Sequence, residues 1–500
     1  MLTEKASIIA ALKPSFIIIA VLTFIIWGML FSVLGKSHPD EGNYLMSAYQ
    51  SGKSLIPYRD FAFTQGPVYP ILYSLIGKSF GFRISMFRHM NVFLHFILLL
   101  FISLSVFYLF RWTGLITFLV IYLSNPFNFY SLTVNKLYLI TAFFITLGSI
   151  LLLRSHEKNW IIAFAGIFFS IAAATRISTV IILIVFWLYS FRRMKPVKWL
   201  IYSFLPSFLF LVLLYLPFFL VSFDNTLFYL ISFHLSRELP FKNQLMFKFD
   251  FLILLMRYYG PALIIALSYI LWRPLIEPKL AYLRFLALAY LMHLFIHIPA
   301  KVPYVYEYLT PTFPLLALWL TGVLYYAVNK MPTDIWRYKI ISFIAILFIS
   351  GAIITGRDNI SSKSEFPLQK VITVADYVKS ITRPDDSIFS FNPAITIAAK
   401  RNIYKSSESG GLVFTIDRQR CRKLNLIHYE DFMELVGKKD IPVIVITPIT
   451  FDISFPECAG SPLEARKLIW KKLRENYTLD KQFPASGLES EDVEIWIPTN

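Results

Sequence analysis

The chain is poor in cysteine and poor in charge. Two cysteines in 500 residues exclude a cysteine-based metal framework and a disulfide scaffold. Charged residues make up 16%, and the acids are the scarcer sign, 31 against 48 basic residues. A soluble domain carries roughly 25% charge, so an ordinary cytosolic enzyme and a disordered chain are both excluded. No Gly-rich phosphate loop suggests a nucleotide-driven pump. No internal repeat suggests a transporter built from two halves. What fills the sequence instead is apolar: 56% hydrophobic residues, with 48 Phe and 28 Tyr. That is the composition of an integral membrane protein.

The net charge of +17 is unevenly placed. From Arg357 onward, 20 basic residues balance 20 acidic ones, so the whole excess sits in residues 1–356. Basic residues in short loops between apolar runs set membrane topology. No basic patch with base-reading chemistry accompanies them, so nucleic acid is not an expected partner. The apolar runs lie near 15–34, 84–110, 113–131, 137–153, 160–174, 177–191, 199–222, 251–272, 281–298, 307–328 and 338–356, each long enough or nearly so to cross about 30 Å of hydrocarbon. Runs 160–174 and 177–191 are short and meet at Arg176. Fusing them would place Arg192, Arg193, Lys195 and Lys198 outside, against the positive-inside rule. A hairpin with Arg176 at the outer face is therefore the expectation, within eleven spans and with the N-terminus inside. The same map puts Asp40, Glu41, Asp60, Asp224, Glu238, Asp250 and Glu307 outside.

Two outer regions are large, the loop 35–83 and the tail 357–500. The tail alternates helix and strand: helices at Gln369–Ile381 and Pro462–Asn476, strands at Ser387–Phe391, Val443–Thr447 and Val493–Ile497. It reads as a soluble α/β domain large enough to bury its own core. Cys421 and Cys458 both fall here. A disulfide is allowed outside the cell; two unpaired cysteines are the other reading.

The sharpest segment is His38-Pro39-Asp40-Glu41-Gly42-Asn43-Tyr44, directly after the first span. Two adjacent carboxylates near the hydrocarbon edge raise one another's pKa, and such a group can act as a general base or hold a divalent cation. The plainer reading is an acid pair capping a helix over Asn43–Ser51. Then follows Pro57-Tyr58-Arg59-Asp60-Phe61-Ala62-Phe63-Thr64-Gln65-Gly66-Pro67-Val68-Tyr69-Pro70, with an interfacial helix expected over Val68–Gly81. His293 and His297, four apart, have a ligand-like spacing without an HExxH context.

A first outer loop of this kind resembles that of the polyprenyl-phosphate-sugar-dependent membrane glycosyltransferases of the GT-C class, such as the protein O-mannosyltransferases and the lipid A aminoarabinose transferases. Asn125-Pro126-Phe127, Ala172-Ala173-Ala174-Thr175-Arg176 and Tyr308-Leu309-Thr310-Pro311-Thr312-Phe313-Pro314 extend the resemblance, as does the tail. It implies an α-helical polytopic membrane protein of about eleven transmembrane helices. Residues 1–356 would form the catalytic domain and 357–500 an extracytoplasmic α/β domain. It further implies sugar transfer from a polyprenyl-phosphate donor to a glycan, lipid or protein acceptor at the outer face of the plasma (inner) membrane. Asp40 would be the base, assisted by Glu41, and Arg176, His234, Arg237 and Lys242 would be the cations for the leaving phosphate. The sequence departs from the family at Thr64-Gln65, where the aminoarabinose-type members carry Glu-Lys, and at Asn135-Lys136, where many members carry an acid. Asp60 is the candidate second carboxylate in their place. Use of a divalent cation stays open, and no other cofactor is implied. A ligase moving a whole glycan, and a non-catalytic glycolipid transporter, are the alternatives.

Overall fold

The computed structural model describes residues 2–35, 38–155, 158–235, 249, 252–253, 281–297, 305–329, 367–405, 407–408, 416–447, 462–484 and 492–499. The expected spans 251–272 and 338–356 lie almost wholly outside them. The membrane half is built from α1 (Leu2–Met29, continued by a π-helical turn over Leu30–Leu34), α2 (Pro39–Gly52), α3 (Val68–Phe80), α4 (Ile84–Leu123), α5 (Pro126–Thr133), α6 (Tyr138–Arg154), α7 (Asn159–Thr175), α8 (Val180–Phe191), α9 (Pro196–Val221), α10 (Ala281–His297) and α11 (Phe313–Asn329). Among the described residues, Ser15–Leu34, Ile84–Leu123, Pro196–Val221 and Glu307–Tyr326 are helical, apolar and long enough to cross a bilayer. The first three carry large exposed apolar side chains, including Ile18, Leu22 and Ile26 on α1 and Leu209, Leu213 and Leu220 on α9, whereas Glu307–Tyr326 is mostly buried within the protein. A surface of that kind is stable against lipid rather than water.

Three breaks shape this half. Helix α4 is kinked at Arg111, whose φ of +54° is non-helical, close to the expected boundary between two apolar runs. Helices α5 and α6 meet at a bend of 109°; Pro126 opens α5, and Asn125 caps it by accepting the Asn128 N–H. Helices α7 and α8 form the expected hairpin: the rings of Phe169 and Phe186 lie 5.2 Å apart on either side of Arg176.

The tail holds α12 (Pro367–Ile381), β1 (Ser387–Ser390), α13 (Pro393–Ala398), β2 (Asn402–Ile403), α14 (Arg418–Lys423), α15 (Tyr429–Lys438), β3 (Ile444–Ile446), α16 (Pro462–Asn476), β4 (Tyr477–Phe483) and β5 (Val493–Pro498). The sheet order is β2-β1-β3-β5-β4, with β2, β1 and β3 parallel and β5 antiparallel to both β3 and β4. Alternate residues of β1 enter different cores. Phe389 packs with Phe432, Val436, Ile469 and Leu473 of α15 and α16, whereas Ile388 joins the cluster that includes Val374, Val378 and Ile395 of α12 and α13. This two-sided burial is what a mixed sheet between helices requires.

The tail rests on the loop 38–83. A Cβ on Gly42 would come within 3.0 Å of the Ala394 nitrogen, so α2 and the start of α13 touch through a residue without a side chain. Lys53 Nζ donates to Asn402 Oδ1 at 3.2 Å, and Asn225 Nδ2 donates to the carbonyls of Tyr58 at 3.1 Å and Lys423 at 3.0 Å. The loop 38–83 and the tail therefore lie on one side of the helix bundle.

Candidate functional site

The first turn of α2 sends the two adjacent carboxylates in different directions. Pro39 occupies the first helical position, and His38 is the N-cap: its Nδ1 accepts the Asp40 N–H at 3.1 Å. The His38 N–H donates to Glu41 Oε2 at 3.2 Å, which closes a capping box. Successive helical residues point about 100° apart. Glu41 turns inward and is buried. It accepts Arg88 Nε at Oε1 (2.8 Å), a second guanidinium N–H of Arg88 at Oε2, and the Asn135 N–H at 2.9 Å. Arg88 also donates to the carbonyls of Phe31 and Gly35. Burial alone would push the Glu41 carboxyl up, but the Arg88 charge and these hydrogen bonds hold it below its ordinary value. Asp40 turns outward, and its side chain is 50% exposed.

Lys136 sits at the bend between α5 and α6, buried, with its ammonium 2.5 Å from Glu307 Oε2, 2.6 Å from His38 Nε2 and 3.8 Å from Asp40 Oδ2. Glu307 comes from the 3₁₀ turns of Val305–Thr312, just before α11. A neutral imidazole has one acceptor nitrogen. If His38 Nδ1 accepts the Asp40 N–H, its Nε2–H faces Glu307 Oε1 at 3.5 Å; if Nε2 accepts from Lys136, the proton moves to Nδ1, 3.7 Å from Asp40 Oδ2. Both tautomers leave His38 linked to a carboxylate. One turn on from Asp40, burial and the Asp40 charge push the Tyr44 phenol well above its usual range, so it remains a proton donor.

Arg176 is the extended residue between α7 and α8. Its Nε donates to Ser178 Oγ at 3.0 Å. The guanidinium carbon lies 4.4 Å from the centre of the Tyr308 ring and 4.9 Å from that of Tyr138. The Tyr138 ring also faces Lys136 Nζ at 5.1 Å, which places the two cations on a shared aromatic wall. Arg176 is only 5% exposed, and no carboxylate forms an ion pair with it among the described residues. A buried guanidinium without a carboxylate partner is costly unless an anion completes it. The hairpin is held by the loop 38–83: a Cβ on Gly66 would fall 2.0 Å from the Ala174 carbonyl oxygen.

The other expected residues are placed differently. Asp60 accepts Arg59 Nε and Nη2, both at 2.8 Å, and the Ile56 N–H at 2.7 Å; these hold it below the usual carboxylate range, the Arg59 hydrogen bond first. No hydrogen bond or ion pair joins it to Asp40 or Arg176 among the described residues. His234 Nε2 meets the Thr64 carbonyl at 2.7 Å and so braces the first loop. Arg237, Lys242 and Cys458 lie outside the described residues; Cys421 is buried. His293 and His297 face each other at 3.4 Å, with Thr312 Oγ1 3.2 Å from His293 Nδ1. Among the described residues, no group of three or more His, Cys, Asp or Glu side chains is gathered in a way that could hold a metal ion. The residues that sequence reasoning gave no part in the site are Arg88, Lys136, Glu307, Tyr138 and the ring of Tyr308. The usable signal was a charge interrupting an apolar run, which Arg88 and Lys136 both show.

No protein-family model matches the chain, and no curated protein matches it by sequence. Solved structures do. ArnT from Cupriavidus metallidurans bound to undecaprenyl phosphate aligns over 96% of this chain and 97% of its own, with 12% identity and a TM-score of 0.62. An oligosaccharyltransferase from Archaeoglobus fulgidus in complex with Zn and sulfate aligns over 85% of this chain and 67% of its own, at 13% identity and a TM-score of 0.50. Arabinofuranosyltransferase AftD from Mycobacteria aligns over 96% of this chain and 40% of its own, at 11% identity and 0.51. The chain thus has the fold of the GT-C membrane glycosyltransferases, a polytopic helical bundle with a C-terminal α/β region.

Proposed function

We propose that this chain is a GT-C-type glycosyltransferase. It transfers a sugar from a polyprenyl-phosphate carrier to a hydroxyl of a glycan, lipid or protein at the extracytoplasmic face of the inner membrane. The observation that carries the reading is Arg176, buried between Tyr138 and Tyr308 without a carboxylate partner among the described residues. It lies on the same wall as the cluster that ends in the exposed carboxylate of Asp40. Undecaprenyl phosphate in the C. metallidurans structure, whose fold this chain shares, supports a lipid-linked donor. The basic loops of residues 1–356 support the topology, and the contacts of the tail with the first loop support a tail on the site-bearing side.

The acceptor oxygen attacks the anomeric carbon as its proton passes to Asp40. The bond from that carbon to the phosphate oxygen breaks, and the electron pair leaves with the phosphate. One displacement inverts the anomeric configuration. Arg176 faces the leaving phosphate, where a planar guanidinium offers two parallel N–H donors. Lys136, itself held by Glu307, faces Asp40 from behind, and Glu41 fixes the helix turn that presents it. A glycolipid transporter would place its polar groups near mid-bilayer; here they gather at one end of the bundle, beneath the tail.

Donor titration on folded Arg176→Ala tests the reading. A charge-assisted contact contributes about 1.5–3 kcal/mol, so donor affinity falls roughly ten- to a hundredfold, with acceptor affinity little changed. Arg176→Lys restores it poorly, because an ammonium cannot bind bidentately. Unchanged donor affinity in folded Arg176→Ala refutes the assignment.

A further inference from the structure

His38, Asp40 and Glu307 are residue types that bind divalent cations, two carboxylates and an imidazole drawn from two distant parts of the chain, but they are not gathered as a metal-binding group; all three lie around one ammonium. Lys136 Nζ lies 2.5 Å from Glu307 Oε2, 2.6 Å from His38 Nε2 and 3.8 Å from Asp40 Oδ2. A dication bound by the same oxygens at 2.0–2.6 Å would sit within a few ångström of a fixed positive charge. Lys136 is buried and ion-paired where it stands. It is 2% exposed, and its N–H donates to the Val134 carbonyl at 2.7 Å within the bend between α5 and α6. Glu41 is neutralised by Arg88, and the two remaining carboxylates, Asp40 and Glu307, both face the Lys136 ammonium.

We propose that the Lys136 ammonium stands in the place of a divalent cation. It is the resident positive charge that gathers Asp40, Glu307 and His38, and it bars a metal from them. Lys136 is thus a positioning residue: it touches Asp40, not the reacting sugar. The inference rests on the chain's own donor set. Its consequence for catalysis, a transferase indifferent to chelators, rests on the glycosyl-transfer reading.

The test measures metal uptake and needs no substrate. Full-length protein in detergent, stripped with EDTA, is titrated with MnCl₂, and bound Mn²⁺ is read by electron paramagnetic resonance. The parent chain is expected to show no saturable uptake. Lys136→Asp, which removes the cation and adds a ligand, is expected to take up about one Mn²⁺ per chain and to lose it when Asp40→Asn is added. Lys136→Met keeps the stem without the charge and serves if Lys136→Asp does not fold. It is expected to show saturable Mn²⁺ uptake that the parent lacks. Saturable uptake by the parent that Asp40→Asn abolishes overturns the proposal. So does a folded Lys136→Met that takes up no more Mn²⁺ than the parent. With no substrate in the titration, either result leaves the transferase reading to the Arg176 donor titration.

Discussion

Asp40 and Glu41 are neighbours in the chain with the same functional group, yet they belong to two regions governed by different physics. Glu41 lies inside, every oxygen met by Arg88, by the Asn135 N–H or by its own capping box. Asp40 lies at the rim, with Lys136 at 3.8 Å and His38 at 3.7 Å but no short partner. A fully satisfied buried carboxylate fixes geometry and has no capacity left for a substrate proton. A loosely held, half-exposed one keeps that capacity. On the proposed function, the pair that looks like one catalytic motif divides into a structural residue and a chemical one, separated by a single helical step.

The contrast breaks most severely at Arg88. Arg88→Ala leaves Glu41 buried without its counter-charge, a loss of about 3–5 kcal/mol that should appear as a large fall in thermal stability in detergent. The acid limb should change too. In the parent, Glu41 is held below its ordinary 4.5, so its contribution is complete above that value and is lost as the pH falls through the folded-state value. Without Arg88, burial raises the carboxyl and the sign of the contribution reverses. A stable Arg88→Ala with an unchanged acid midpoint would show that the pair is not structural.

Asp40 comes next. Asp40→Asn keeps the shape and removes the proton acceptor, so turnover should fall by at least ~10²-fold while thermal stability stays near that of the parent. Glu41→Gln should do the opposite, losing stability first. If both variants lose activity with stability intact, the two carboxylates act together and the division drawn here fails.

How much of this was legible is uneven, for physical reasons. Local signals were readable: the Asp40–Glu41 pair behind a proline, the break at Arg176, and the two amphipathic tail helices, of which Pro462–Asn476 has the expected bounds. Pairings across the chain were not. Arg88 is 47 residues from Glu41, and Glu307 is 171 from Lys136; no periodicity links such residues, so Glu307 reads only as one more acid of the outer face until the fold brings it to Lys136. Strand β4 was missed because it is an edge strand, buried only at Tyr477 and Phe483 with five exposed residues between. Its sequence carries no alternation to read. Strand β2 is two residues long and carries no pattern at all.

The smallest expected effect sharpens the comparison from the roof of the site. On the proposed function, Arg176 serves a phosphate only if the hairpin turn stays where the loop 38–83 presses on it, and Gly66 is the point of contact. A Cβ there would stand 2.0 Å from the Ala174 carbonyl oxygen and 2.5 Å from the Ala174 carbonyl carbon, both backbone atoms that no rotamer change can move aside. Gly66→Ala must therefore push loop and hairpin apart. Overpacking of this kind costs about 1–3 kcal/mol. The guanidinium stays in the chain, so donor affinity should fall by less than in Arg176→Ala, while Asp40 keeps its place on α2 and acceptor affinity holds. Thermal unfolding and donor titration on the same preparation check both halves. A variant with parental stability and donor affinity would mean that loop and hairpin are not in contact in the working protein, and that Arg176 is positioned by its two tyrosines alone.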